Sequence, residues 1–334
     1  MRVVSLVPSA TEILCLIGGR DMLVGRSHEC DFPGDLVGGG AGGNADAARA
    51  PVPALTGQTT PPGRDPAAID SHVRESVAAG LPLYTLDADA LAALRPDVIL
   101  TQDLCRVCSI DAASVRAIAG ALPIPPRIIS LDPQTVEGVF DDILRVGEAV
   151  DLADRARAAV VALRGRMHRA MDHVNPFTDG PSVAFLEWTD PMFIGGHWTP
   201  QLIERAGGRS PLNPTVAAED AGAARGPMQA SRRAGPSVRV TPEALVASRP
   251  EFLVICPCGI VLADVRPLAE SLARQPWFRD LPAARPPTGR IALVDGSQMF
   301  NRPGPRLIDA LEWLTGWLND RPDLIPHGFP WERL

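Results

Sequence analysis

The chain contains no lysine: its 32 basic residues are all arginine, set against 39 acids for a net charge of −7. With no long run of either sign, it lacks the basic stripe that nucleic acid requires and the cationic patch that an anionic membrane surface attracts. The missing lysine, alongside abundant Ala, Gly, Pro and Arg, reads as compositional bias rather than a functional device. Long apolar runs are missing too, and no stretch approaches the ~18 to 20 uninterrupted apolar residues of a membrane helix. Six cysteines in 334 residues are too few for a disulfide scaffold; in a reducing compartment they are expected as thiols, ligands or redox groups. Against ordinary hydrolytic catalysis, the chain has no G-x-S-x-G elbow, no H-E-x-x-H, no P-loop and no G-x-G-x-x-G after a strand. Its opening, Met1 to Pro8, is a short apolar run broken by Pro8, a strand rather than a signal-peptide core with a cleavage site. A cytoplasmic, monomeric protein is expected.

What is present is enough for two domains of ordinary size, since 46% of the residues are apolar. Val3 to Val7 reads as a buried strand, turning through Pro8-Ser9-Ala10-Thr11-Glu12 into an apolar helix that Gly18-Gly19 stops. Leu81 to Leu86, Asp97 to Thr101 and Arg127 to Leu131 read as further strands, the last after a helix near Ala112 to Gly120. Strands alternating with helices imply a parallel sheet covered on both faces. Asp132-Pro133 then has the form of a helix start, an N-cap with proline at the first helical position. From there Val136, Val139, Phe140, Ile143, Leu144, Val150, Val160, Leu163, Met167 and Met171 recur at three and four until Asn175-Pro176. At ~1.5 Å per residue this is a rod of roughly 55 to 60 Å, with Asp151 a candidate interruption. The second half repeats the logic, with strands at Ser182 to Trp188, Glu251 to Cys256 and Arg290 to Val294, and helices at Thr199 to Ala206, Pro267 to Arg274 and Pro305 to Leu318. The organisation read here is an N-terminal α/β lobe over 1–132, a long linking helix over 133–175 and a C-terminal α/β lobe over 176–334. Gly38 to Asp70 and Arg209 to Val238, rich in Gly, Ala, Pro and Arg, read as surface insertions dispensable for folding.

Ligands of open parallel sheets bind at the carboxyl ends of the strands, and the chain's unusual residues fall there. In the first lobe these are Pro8-Ser9-Ala10-Thr11, Ser27-His28-Glu29-Cys30-Asp31 and Gln102-Asp103-Leu104-Cys105-Arg106-Val107-Cys108. In the second they are Glu187-Trp188-Thr189-Asp190, Gly195-Gly196-His197-Trp198, Cys256-Pro257-Cys258-Gly259 and Phe300-Asn301-Arg302-Pro303-Gly304-Pro305. The same segments carry a family resemblance. Arg2 to Glu12, Gly25 to Pro33, Thr101 to Cys105 with Cys108, Phe185 to Trp188, Gly196 to Pro200 and Asn301 to Pro305 resemble the vitamin B12 and iron-siderophore class of substrate-binding proteins. The match is closest to a leaderless branch usually called cobalamin-binding proteins. The resemblance implies two Rossmann-like lobes joined by one long helix, with cobalamin or a related corrinoid or metal chelate bound between them. For transport members it also implies an ABC permease partner; those members are secreted or lipid-anchored, and this opening shows neither leader nor lipobox.

Each candidate has a bland reading beside the functional one. Pro8, Ser9 and Thr11 open a helix whose free N–H groups can receive a carboxylate, amide oxygen or phosphate, or Ser9 is simply an N-cap. His28 is a ligand or part of a loop hydrogen-bond network with Glu29 and Asp31. His197, after two glycines that let backbone approach a ligand, is better placed for a cleft. Glu187, Trp188, Trp198 and Phe300 are expected around a flat macrocycle held by aromatic surface; Arg302 forks onto a ligand carboxylate or amide, or pairs with an acid of its own lobe. Cys30, Cys105, Cys108 and Cys258 either converge on zinc or an iron–sulfur cluster or are small thiols packed under loops. Cys15, Trp277, Trp313 and Trp317 read as core, and His168 and His173 as solvated. The reading is a corrinoid-binding module rather than an enzyme, its rival a cytoplasmic metal- or iron–sulfur-binding protein or enzyme using the cysteines.

Overall fold

The structure is a computed structural model that describes all residues except 38–49, 60–64, 104–109, 111, 176, 218–231 and 286–288. The chain divides into two compact units. One comprises Met1–Pro62, Ser71–Pro133 and Gly138–Ala162; the other comprises Gly63–Asp70, Gln134–Glu137 and Leu163–Leu334.

The first unit runs β1 (Val3–Ser5), α1 (Pro8–Leu16), β2 (Leu23–Arg26), β3 (Thr56–Gln58), all but the first residues of α2 (Pro66–Ala78), β4 (Tyr84–Leu86), α3 (Ala88–Leu94), β5 (Val98–Gln102), α4 (Ala112–Gly120), β6 (Arg127–Leu131), all but the first two residues of α5 (Val136–Ala149), and the start of α6 (Ala153–Met171). Four strands form a sheet in the order β2-β1-β5-β6, every neighbouring pair parallel. On one face Val4, Leu6, Leu55, Ile99 and Val115 share a buried cluster. That cluster corrects two expectations. Gly38 to Asp70 is not wholly a structureless insertion: Leu55 is in the core, its N–H bonds Arg26 O at 2.8 Å, and Thr56–Gln58 pairs antiparallel with Tyr84–Leu86. Accordingly β4 belongs to this two-stranded ribbon, not to the parallel sheet. The reason lies in the backbone: Val52 to Gln58 supplies the hydrogen bonds that β2 and β4 would otherwise leave unmet at their edges.

The helical rod is realised as two helices, α5 and α6, separated at Val150–Leu152, where Asp151 takes a φ of 60°. Gly147 makes the turn possible: a Cβ there would lie 2.3 Å from Ala156 Cβ, so only glycine lets the two helices touch. α5 starts at Val136 rather than at Pro133. Its first N–H is capped from another helix, by Gln201 Oε1 at 2.9 Å, so Asp132 is not the cap.

The second unit continues with β7 (Val183–Thr189), β8 (Met192–Ile194), α7 (Trp198–Arg205), β9 (Val216–Ala217), β10 (Arg232–Arg233), β11 (Val238–Arg239), α8 (Pro242–Ala247), β12 (Phe252–Ile255), α9 (Leu262–Ala273), β13 (Ile291–Val294), α10 (Leu307–Leu318) and β14 (Trp331–Arg333). Its six-stranded sheet, β11-β8-β7-β12-β13-β14, is parallel only at its centre; β8, β11 and β14 add antiparallel edges. Phe300, Trp313, Trp317, Phe329 and Trp331 stack on one another over this sheet with ring centroids 5.2–6.5 Å apart. The described ends of Arg209 to Val238 are also ordered, since Thr215 and Arg232 are tied to Glu204 and β11 pairs with β8. No helix among the described residues is long and apolar enough to cross a membrane.

Two outcomes follow from the first unit. Leu55→Ala is expected to cost about 2 to 5 kcal/mol in denaturant unfolding, the range for a buried leucine, and a change below the error of the fit would restore the loop assignment. Asp142 on α5 is buried, with Oδ1 3.3 Å from Arg145 and Oδ2 bonded to no described residue. Burial pushes its carboxyl up to about 7 against the pull of Arg145, with Asp141 and Asp132 adding repulsion. A folded-state pKa above the unfolded one means the stability it allows is full below about pH 4 and is lost as pH rises towards 7. The Tm of Asp142→Asn should therefore exceed that of the parent at pH 8, with the gap closing at pH 5; a gap independent of pH would contradict this.

Candidate functional site

In the first unit the residues after β1 turn inward. Pro8 occupies the first position of α1, with Val7 rather than Ser9 as the N-cap. Thr11 Oγ1 lies 2.8 Å from Ser5 Oγ and 3.0 Å from Cys30 Sγ. Ser9, Thr11 and Cys30 are buried, and Ser5, Thr11 and Cys30 form a polar knot that ties α1 to β1. His28, half-buried after β2, is held differently. Its Nδ1 is 2.7 Å from Thr56 Oγ1, a hydroxyl that accepts from His28 N at 3.0 Å and donates to Ser27 Oγ at 3.0 Å. Burial, then Arg26, lowers its pKa, favouring the neutral ring. Thr56 was invisible to sequence reasoning because it lies in the Gly- and Pro-rich stretch. Cys105 and Cys108 lie outside the described residues.

In the second unit His197 is one of four described non-glycine residues with a positive φ, the others being Arg249, Met299 and Asp320. His197 adopts a φ of 54°, a strained value for a side chain of this size, one residue before α7. Its N–H donates to Gly235 O at 2.9 Å. Gly196 permits that approach, because a Cβ there would sit 2.4 Å from Pro236 C. The imidazole stacks on Trp198, with centroids 5.6 Å apart and an interplanar angle of 28°. Trp198 is only 6% exposed and donates Nε1–H to Phe300 O at 2.7 Å, so it is the platform under the histidine, not a free wall of a cleft. On the other side His197 Nδ1 meets Gln134 Oε1 at 2.9 Å.

The remaining predicted contacts separate into two groups. Glu187 and Trp188 are half-buried at the carboxyl end of β7; Ser237 Oγ donates to Glu187, and Trp188 Nε1 donates to Asp190 O at 3.1 Å. Phe300 is fully buried among Phe185, Trp313 and Phe329. Arg302 is buried as well. Cys258 is exposed after β12, while Cys256 is buried, its thiol pushed well above the usual range by burial and receiving Asn301 Nδ2–H at 3.5 Å. Cys15, expected in the core, is part-exposed with a thiol raised to about 12 by burial, which leaves it unreactive. Among the described residues no group of three or more His, Cys, Asp or Glu is placed to hold a metal ion. A cavity of about 480 Å³ lined by Ser182, Arg209, Ser248, Arg249 and Glu251 sits at the amino ends of β7 and β12, away from every predicted site residue.

What positions His197 is a buried polar stripe on α7. Trp198, Gln201, Leu202 and Arg205 fall at helical spacing and all are buried. Gln201 caps α5 through Val136 N and donates Nε2–H to Glu137 Oε2 at 3.1 Å; Arg205 pairs with Glu137 Oε1. Four consecutive residues, Gln134 to Glu137, are thus pinned by His197, Gln201 and Arg205. Glutamine and arginine on the apolar face of a helix were the signal in the sequence, one that a search for apolar periodicity passes over.

A family model described as periplasmic binding protein matches residues 3–293. No curated relative matches the sequence. Among solved structures, a periplasmic heme-binding protein from Pseudomonas aeruginosa is 20% identical, with 96% of this chain and 92% of that chain covered at a TM-score of 0.63. The heme-binding protein RhuT of Roseiflexus sp. RS-1 is 21% identical, covering 96% and 98% at 0.63. The vitamin B12 binding protein BtuF of Vibrio cholerae is 16% identical, covering 96% and 97% at 0.60.

The pinning makes a quantitative demand. Removing one partner of a buried ion pair typically costs about 3 to 5 kcal/mol. Glu137→Ala should approach that loss in chemical unfolding, whereas the double change Arg205→Met with Glu137→Leu should lose less than Glu137→Ala alone. A double variant no more stable than the single one would show that the pair is not the restraint described.

Proposed function

Because the chain belongs to the periplasmic binding protein family over residues 3–293, we propose that it binds cobalamin or a related corrinoid, using strand-end loops of its second unit, and does not transform it. The observation that carries this reading is His197, held on a strained backbone and stacked on Trp198. Strain of this kind persists only where surrounding structure overdetermines it, and it clusters at ligand sites. A flat macrocycle is held by aromatic and apolar surface with a few polar groups at fixed places, and the half-buried Trp188 and His197 are residues of that kind. Of the three solved neighbours described above, two are named for heme and one for vitamin B12, all flat metal macrocycles. An ABC permease is the partner class this reading implies.

The rival cysteine reading draws on Cys30, whose Sγ is 3.0 Å from Thr11 Oγ1 in the first unit, and on the exposed Cys258 in the second. Hydroxocobalamin added to the protein should quench tryptophan fluorescence saturably. Trp188→Ala should weaken binding by about 1 kcal/mol or more. Trp198→Ala should mainly reduce stability, because Trp198 is a buried platform. Linear quenching indistinguishable from that of free tryptophan would sink the proposal.

A further inference from the structure

We infer that the second unit carries a separate binding site, at the amino ends of β7 and β12, for a small hydroxylated anion such as a phosphate ester or a hydroxycarboxylate. The hollow arises from a turn that the chain uses twice with different side chains. In the first unit α3 ends at Leu94 and passes through Arg95-Pro96-Asp97 into β5; in the second α8 passes through Ser248 and Arg249-Pro250-Glu251 into β12. Arg95 and Arg249 share a left-handed backbone, with φ of 41° and 48°. The bonds around them match. Asp97 N and Val98 N donate to Arg2 O at 2.8 and 3.2 Å, as Glu251 N and Phe252 N donate to Ser182 O at 2.8 and 3.1 Å. Arg2 N donates to Asp97 Oδ2 at 2.6 Å, and Ser182 N to Glu251 Oε1 at 3.0 Å. Arg2 and Ser182 therefore hold equivalent places. Arg2 lays a long side chain across the end of α3, its Nε–H donating to Leu94 O at 2.7 Å. Ser182 meets the equivalent carbonyl, Ser248 O, with its short hydroxyl at 3.3 Å, and beside it opens the cavity of about 480 Å³.

The lining decides what such a hollow takes. Arg209, Arg249 and Glu251 face it together with the two serines. Arg249 spends no guanidinium N–H on a described residue, and Arg209 spends only its Nε–H, on Gly180 O at 2.7 Å. Glu251 forms no ion pair with either arginine; its Oε1 accepts from Ser182 N, and Oε2 is left to a ligand. Two guanidinium forks outweigh one carboxylate, and a fork matches the paired oxygens of a phosphate or carboxylate. Glu251 adds a second requirement. A carboxylate oxygen can only accept, so it repels a bare anion but holds a hydroxyl carried beside the charge. The volume lies within the roughly 300 to 1,000 Å³ of small-molecule sites. Neither arginine belongs to the corrinoid-binding set, which lies at the opposite, carboxyl ends of the strands.

Titration calorimetry in physiological salt, with glycerol 3-phosphate and citrate as the probes, tests this site. At least one of them should bind saturably with a Kd of about 1 mM or tighter, and which one binds tells a phosphate ester from a hydroxycarboxylate. Arg249→Gly should weaken that binding by about 10-fold or more, the usual scale for losing hydrogen bonds to a charged group. It should do so without lowering the Tm, because glycine adopts a φ of 48° at less cost than arginine. Arg209→Gln should weaken binding comparably. Methyl phosphate and tricarballylate, which lack the hydroxyl, should bind more weakly than glycerol 3-phosphate and citrate respectively. If neither probe binds saturably, or if binding is unchanged in both arginine variants, the site is overturned. Equal affinity for the hydroxyl-free analogues overturns the role given to Glu251.

Discussion

A guanidinium buried to the extent of Arg205, 1% exposed, leaves little latitude for its partner, and the second unit is organised around satisfying it. An uncompensated charge in the interior costs several kcal/mol, so Glu137 must lie where Arg205 can reach it. Glu137 is the second residue of α5, and Gln201, one turn earlier on α7, caps the first. Once those two contacts are made, the path of Gln134 to Glu137 along α7 is fixed. The orientation of the His197 ring follows, because Gln134 reaches Nδ1 from that turn.

The site therefore draws its geometry from core polarity rather than from the loops that display it. Trp198, Gln201, Leu202 and Arg205 form one buried stripe, and His197 sits immediately before it at the helix entrance. Glycine at 196 and the left-handed backbone at 197 are the local adjustments that let a bulky ring stand there. In the first unit the same logic serves a different end. Ser5, Thr11 and Cys30 bond one another, and among the described residues Pro8 and His28 are the part-exposed members of the predicted set.

Much of this was legible in the residues because periodicity and punctuation agree. Val3 to Val7 followed by Pro8 gave β1 and α1, and Ala112–Gly120 and Arg127–Leu131 are the observed α4 and β6. β3 was not legible, since three residues centred on Gly57 carry no alternation and are ordered only by pairing with β4. The antiparallel edges β8, β11 and β14 escaped notice for the same reason. Of the aromatic residues after strands, Trp188 is half-buried, whereas Phe300 and Trp198 are buried in packing contacts. Exposure depends on packing that no local pattern records. Gln134 and Thr56, which hold the two histidines, are single polar residues whose partners lie 63 and 28 positions away.

The central claim is that these restraints serve the capture of one flat metal chelate. Native mass spectrometry of the protein mixed with equal amounts of hydroxocobalamin, ferric protoporphyrin and a ferric hydroxamate siderophore tests it directly. The account predicts that one corrinoid is retained per chain and survives exchange into ligand-free buffer. A spectrum showing only the bare chain, or the siderophore complex alone, would contradict it.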